Sequence, residues 1–304
     1  MRHHGCWVGP ANRHTGCRQV DWPCQPGRVD QRVGQLGQLR QVAADEAALG
    51  VELFALADRV EDAEVGLGVA AAGSALAQGK ILKFVPEADL RSLDPIWTTA
   101  YITRNHGYMV YDVLFATDAN FKVQPQMVDK WEVSKDNLSY TFTLRDGLKF
   151  HDGAAVRSAD CIASIERWAK RDVFGQRLGE MTESWTAVND KTFRLKLKKP
   201  FPYVLEALAK PSSNVPFIMP ERVAKTDAFT AITDATGSGP FKFVKEQWIP
   251  GNKVVYVKNA DYVPRKEAPS WGAGGKVVKV DRVEWIYIPD AATAAAALNT
   301  GEVD

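Results

Sequence analysis

The chain has 304 residues, enough for one large domain or two with ample material for a core. Hydrophobic residues make up 45% and charged residues 25%, ordinary values for a soluble globular protein, and the formal net charge is +1. That balance argues against a dedicated nucleic-acid binder. No apolar run reaches the 18 or so residues that a membrane-spanning helix needs.

Two compositions meet near residue 80. Residues 1–79 hold seven arginines but no lysine or tyrosine, whereas twenty lysines and eight tyrosines follow from Lys80 onward. Cys6, Cys17 and Cys24 crowd the start near His3, His4 and His14. They lack the tight C-x₂-C pair of most zinc sites, so no metal centre is expected. Residues 42–64 could form an amphipathic helix broken at Gly50. Ala75-Leu76-Ala77 before Gln78 has the small-x-small form of a signal-peptidase site, yet "LADRVEDAEVGLGVAAAG" places five charges where the apolar stretch should begin. Export of the sequence as written is therefore doubtful, and residues 1–77 read as an atypical leader region, disordered or misjoined.

Strand and turn patterns begin at "KILKFV", 80–85, followed by a turn at Leu93-Asp94-Pro95. Helical spacing of apolar and aromatic residues predicts a helix over 103–116. Trp131-Glu132-Val133 should pair with Ser139–Leu144 across Lys135-Asp136-Asn137. Ser158 is a candidate N-cap for the helix "SADCIASIERWAKR", with Asp160 favouring its positive end. A hairpin turning at Asn189-Asp190 and a helix from about Tyr203 come next. "FKFVKEQWIP" and "NKVVYVKNADY" should pair around Pro250-Gly251-Asn252. A strand within "VVKVDRVEWIYIPD" and a helix over Ala291–Asn299 follow, and Glu302-Val303-Asp304 looks like another strand beginning. Antiparallel hairpins with intervening helices describe a mixed α+β or α/β lobe.

Catalytic signatures are absent: no P-loop, dinucleotide fingerprint, HExxH or G-x-S-x-G. His151-Asp152 could be imagined as a catalytic pair, but Gly147 and Gly153 beside it favour a turn-facing structural role. Cys161, among apolar helical positions, reads as a core thiol. No catalytic residue, cofactor or metal is expected, and an enzyme is the weaker reading.

Several phrases resemble the large extracytoplasmic solute-binding proteins of the peptide/nickel ABC transporter group. They are "DLRSLDP" at 89–95, "VDKWEVSKDNLSYTFTLRDGLKFHDG" at 128–153, "SADCIASIERW" at 158–168, "TGSGPFKFVKEQ" at 236–247, "NADYV" at 259–263 and "YIPDAATAAAALNTGEVD" at 287–304. Val263 departs from the tryptophan usual in the fifth phrase, and Cys161 from the usual valine in the third. The resemblance covers residues 80–304 with the phrases in the family's order. It implies the first lobe of a two-lobed periplasmic binding protein, truncated before the second. Residues 78–276 would be that lobe and 277–304 the start of the segment leading out of it. It further implies a periplasmic receptor that carries an oligopeptide or related small solute to the permease subunits of an ABC transporter. The loop "ADLRSLDPIW" is the best cleft candidate. Leu93, Asp94 and Trp97 are its candidate solute contacts, with Tyr101, Tyr111, Asn214 and Trp248 behind them. A chaperone-like interaction protein built on the same lobe is the alternative.

Overall fold

The computed structural model describes residues 79–304. The expected leader region, the helix over 42–64, the small-x-small site at 75–78 and the clustered cysteines lie outside the described residues.

Four sheets organise the described part. The first has β1 (Ile81–Phe84) at one edge, then β12 (Arg282–Ile286), β11 (Lys253–Lys258) and β10 (Phe241–Phe243). β1 runs parallel to β12, and the other neighbours are antiparallel. Leu82 lies opposite Val283, and Trp285 opposite Val254, so alternate residues form one buried face. β12, which the expected boundary at 276 places after the lobe, is thus an interior strand of this sheet. Glu302–Asp304 returns to β1: the Asp304 N–H donates to the Lys83 carbonyl at 2.9 Å, and the Lys83 N–H to the Asp304 carboxylate at 2.8 Å.

The second four-stranded sheet is antiparallel, in the order β5 (Val128–Val133), β6 (Ser139–Leu144), β8 (Thr192–Leu197), β7 (Thr182–Ala187). Tyr140, Phe142 and Leu144 of β6 and Phe193, Leu195 and Leu197 of β8 are buried in strict alternation. Phe142 pairs with Phe193, and Tyr140 with Leu195. Each such ring or aliphatic side chain contributes roughly 1.5–3 kcal/mol by leaving water. The expected pairing of 131–133 with the strand after Asn137 holds, with Val133 opposite Tyr140. Asn137 takes the left-handed conformation (φ 55°) that the turn needs. Asp136 ties the turn by accepting from the Leu138 N–H at 3.0 Å.

The helix over 103–116 comes out shorter. α1 spans Tyr101–Val110, and Tyr111 is extended. Asp112–Val113 (β2) then pairs with Phe217–Ile218 (β9), and Phe115–Thr117 (β3) with Val123–Pro125 (β4). Helical and strand periods coincide over this short apolar run, and tertiary pairing decides it. α2 (Ser158–Ala169) starts one residue earlier than a Ser158 cap implies: Arg157 is the N-cap, and its N–H donates to the Asp160 carboxylate at 2.7 Å. Cys161, Ile165 and Trp168, spaced by one helical turn, are all buried. α3 (Val173–Met181) is capped by Asp172, whose carboxylate accepts from the N–H groups of Phe174 and Gly175. α4 (Val204–Leu208), α5 (Glu221–Ala224) and α6 (Ala291–Asn299) complete the helices; α4 and α6 stand where the sequence places them.

Candidate functional site

The loop from 88 to 98 leaves β1 and returns into α1. Leu90, Leu93 and Ile96 are buried and anchor it in the core. Asp94 is fully buried and makes a two-pronged ion pair with Arg167 of α2, Oδ1 to Nη1 at 3.1 Å and Oδ2 to Nη2 at 2.7 Å. Its Oδ1 also accepts from the N–H groups of Ile96 (3.0 Å) and Trp97 (3.1 Å). Its Oδ2 accepts from the Ile232 N–H at 3.0 Å. The buried Asn214 amide donates to the carbonyls of Pro95, Ile96 and Thr98 at 3.3, 2.9 and 2.9 Å. The Trp168 indole in turn donates to the Asn214 carbonyl at 2.7 Å. These bonds satisfy loop backbone groups that would otherwise be stranded away from water.

What the loop displays is different in kind. Trp97 is 40% exposed, and its indole N–H donates to the Phe229 carbonyl at 3.2 Å. Phe229 is itself 64% exposed, with the Arg171 guanidinium 4.8 Å above its ring. Arg171 also donates to the Trp97 carbonyl at 2.7 Å. Tyr101 is 43% exposed, and the Arg104 guanidinium lies 4.4 Å from its ring centroid. Arg104 donates to the Ser212 hydroxyl at 3.1 Å, next to Ser213, whose backbone is left-handed at φ 58°. Tyr108 of α1 donates to the Pro211 carbonyl at 2.7 Å and holds that segment. Aromatic faces carrying fixed guanidinium groups can accept apolar side chains, stack on planar amides and pair with carboxylates.

The candidate residues therefore divide. Leu93, Asp94 and Asn214 lie beneath the loop with their polar atoms engaged inside the protein. Trp97 and Tyr101 stand on its exposed side. Tyr111 is fully buried against Phe217, and burial pushes its hydroxyl well above the usual tyrosine range. Gly237 explains that enclosure, because a Cβ there would sit 1.9 Å from the Val110 carbonyl. Trp248 is half-buried on Phe243, beyond the one-turn 3₁₀ helix Lys245–Gln247. Arg167, Arg171, Arg104 and Phe229 were missed. Only Arg167 left a trace in the sequence. Asp160, Ser164 and Arg167 recur at helical spacing on a buried face of α2.

Both ring nitrogens of His151 face the backbone of residues 237–239. Its Nδ1 accepts from the Gly237 N–H at 3.3 Å, while Nε2 faces the Gly239 carbonyl at 3.1 Å. Burial holds its pKa down to about 4, so it is neutral at pH 7. Asp152 pairs instead with Arg222 at 3.2 Å. A separate crevice of about 390 Å³ runs between His151, Thr233–Thr236, Lys242, Phe243 and Lys245. Among the described residues no three His, Cys, Asp or Glu side chains group as a metal site would.

The fold is a mixed α/β lobe in which an exposed loop face overlies internally bonded polar groups. The family model for bacterial extracellular solute-binding proteins, family 5, middle region, matches residues 122–304. The chain belongs to that family. It is 43% identical over 235 residues to a probable peptide ABC transporter periplasmic-binding protein, y4tO, of Sinorhizobium fredii, covering 77% of this chain and 44% of that protein. It is 32% identical over 214 residues to the glutathione-binding protein GsiB of Pectobacterium atrosepticum, covering 69% and 38%. Among solved structures, the binding protein AgaA of A. tumefaciens R10 in complex with agropinic acid superimposes with a TM-score of 0.60 at 29% identity, covering 74% of this chain and 43% of that one. The chain thus spans less than half the length of these relatives.

Proposed function

We propose that this protein is part of an extracytoplasmic receptor that takes a small peptide or peptide-like solute on the Trp97–Tyr101–Phe229 face and delivers it to an ABC transporter permease. The observation that carries the reading is the contrast within one loop. The Asp94 carboxylate, the Arg167 guanidinium and the Asn214 amide N–H groups beneath it are bonded internally, while Trp97 and Phe229 are left exposed beside Arg171 and Tyr101 beside Arg104. Large exposed rings set on an immobile backbone are suited to binding, since little ordering remains to be done when the solute arrives. The relatives support the class of solute: one is named for peptides, one for glutathione, and one was solved with agropinic acid.

Trp97 and Tyr101 carry direct contact in this reading, and Leu93, Asp94 and Asn214 support them from below. Tyr111 serves the core. Trp248, half-buried against Phe243, is not assigned to this face. The solute's amide groups stack on the rings, and an acidic group pairs with Arg171.

Calorimetric titration of the chain with reduced glutathione and with a di- to pentapeptide pool tests this. Saturable heat that vanishes in a Trp97→Ala, Phe229→Ala double variant is expected. Equal heat in the double variant would refute the assignment of the face.

A further inference from the structure

We infer that Arg167 is the positioning residue of the solute face: one buried guanidinium fixes the two separate loops that carry Trp97 and Phe229. The inference rests on the reading that these rings meet the solute. Arg167 is 2% exposed at its side chain and Asp94 is 0% exposed. Besides the two bonds to Asp94, the guanidinium donates from Nε to the Thr226 carbonyl at 3.2 Å and from Nη2 to the Thr230 carbonyl at 3.1 Å. Thr226 and Thr230 bracket Phe229. The far end of the same loop reaches Asp94 directly through the Ile232 N–H at 3.0 Å. On the other side, Asp94 holds the Ile96 and Trp97 N–H groups.

The loops at 94–98 and 226–232 therefore share a single polar hub, although more than 130 residues separate Asp94 from Ile232 in sequence. Only arginine suits the hub. Its planar fork reaches a carboxylate by two parallel bonds and still has donors directed at two carbonyls, which a lysine ammonium on a single nitrogen cannot match. The hub sits on α2, whose Trp168 also ties Asn214, so the face inherits the rigidity of the helix.

The test is amide hydrogen exchange on the full chain, read without solute, comparing wild type with Arg167→Lys. Exchange should quicken by at least about tenfold in both loops together, while the central amides of β6 and β8 stay slow, as expected when a buried charge loses its fitted partner. Quickening of one loop alone, of neither, or of both loops and the sheet alike would overturn the proposal. A wild-type measurement covers the case in which the variant fails to fold. The amides of Ile96, Trp97 and Ile232 should exchange through one opening event, with protection factors agreeing within about tenfold. A wider spread would overturn the shared hub. Because exchange is measured without solute, its result stands apart from whether the face binds peptide.

Discussion

The antiparallel sheet of β5, β6, β8 and β7 and the loop pair at 94–98 and 226–232 lie in the same lobe but are held by opposite means. The sheet depends on shape. Phe142, Phe193 and Leu195 are fully buried, and the visible ion pairs, such as Lys196–Glu183, sit outside in water. The loop pair depends on charge and direction, with Asp94 and Arg167 out of solvent and five neighbouring backbone groups bonded to them. A sheet of the first kind tolerates changes that conserve volume. A hub of the second kind should tolerate no loss of charge, even at unchanged volume.

Asp94→Ala should show the contrast most strongly, losing about 3–5 kcal/mol because Arg167 is left as an uncompensated buried charge. Urea unfolding followed by circular dichroism checks it. A loss below about 1 kcal/mol would mean that water replaces the carboxylate and that the hub is not rigid. Leu195→Ala should cost about 2–5 kcal/mol, but Leu195→Met under about 1.5 kcal/mol. Asp94→Asn, equally conservative in size, should remain costly. Similar values for the two conservative changes would erase the distinction.

A smaller effect separates the core near α1 from both regions. His106 is fully buried with its Nδ1 at 2.9 Å from the Tyr256 hydroxyl, and burial holds its pKa down to about 3 against an ordinary 6.5. At pH 7 it is neutral whether folded or unfolded. As pH falls below 6.5 the unfolded chain takes up a proton that the folded one refuses, so stability is lost on acidification. Between pH 7 and 5 this amounts to about 2 kcal/mol. The difference between the unfolding midpoints at the two pH values should shrink by about half in a His106→Gln variant, because buried His151 loses stability over the same range. Smallest of all, Lys196→Ala should change stability by less than about 1 kcal/mol, since its partner Glu183 is half exposed.

The same contrast explains what could be read from the sequence. In β6 and β8 the period of two is written directly in "SYTFTL" and "TFRLKL", so both strands and their hairpin turns were legible, whereas the pairing of β6 with β8 was not. In the loop, "SLDPIW" signals only a turn. Whether Asp94 faces solvent or the core depends on Arg167, seventy-three positions away. Trp97 was legible as an aromatic in a loop; Phe229 was not, because nothing in "TDAFTAI" distinguishes a displayed ring from a packed one. Tyr111 was placed on the wrong side of a boundary that tertiary pairing drew. The flanking glycines favour a turn-facing structural role for His151-Asp152, and His151 bonds to the backbone at 237 and 239.

The most direct test is a fluorescence titration of the full chain with reduced glutathione and with the di- to pentapeptide pool, run on wild type and Trp97→Phe in parallel. The account predicts a saturable change in tryptophan emission for at least one solute in wild type and its loss in Trp97→Phe. No change in wild type, or the same saturable change after Trp97 is replaced, would contradict it.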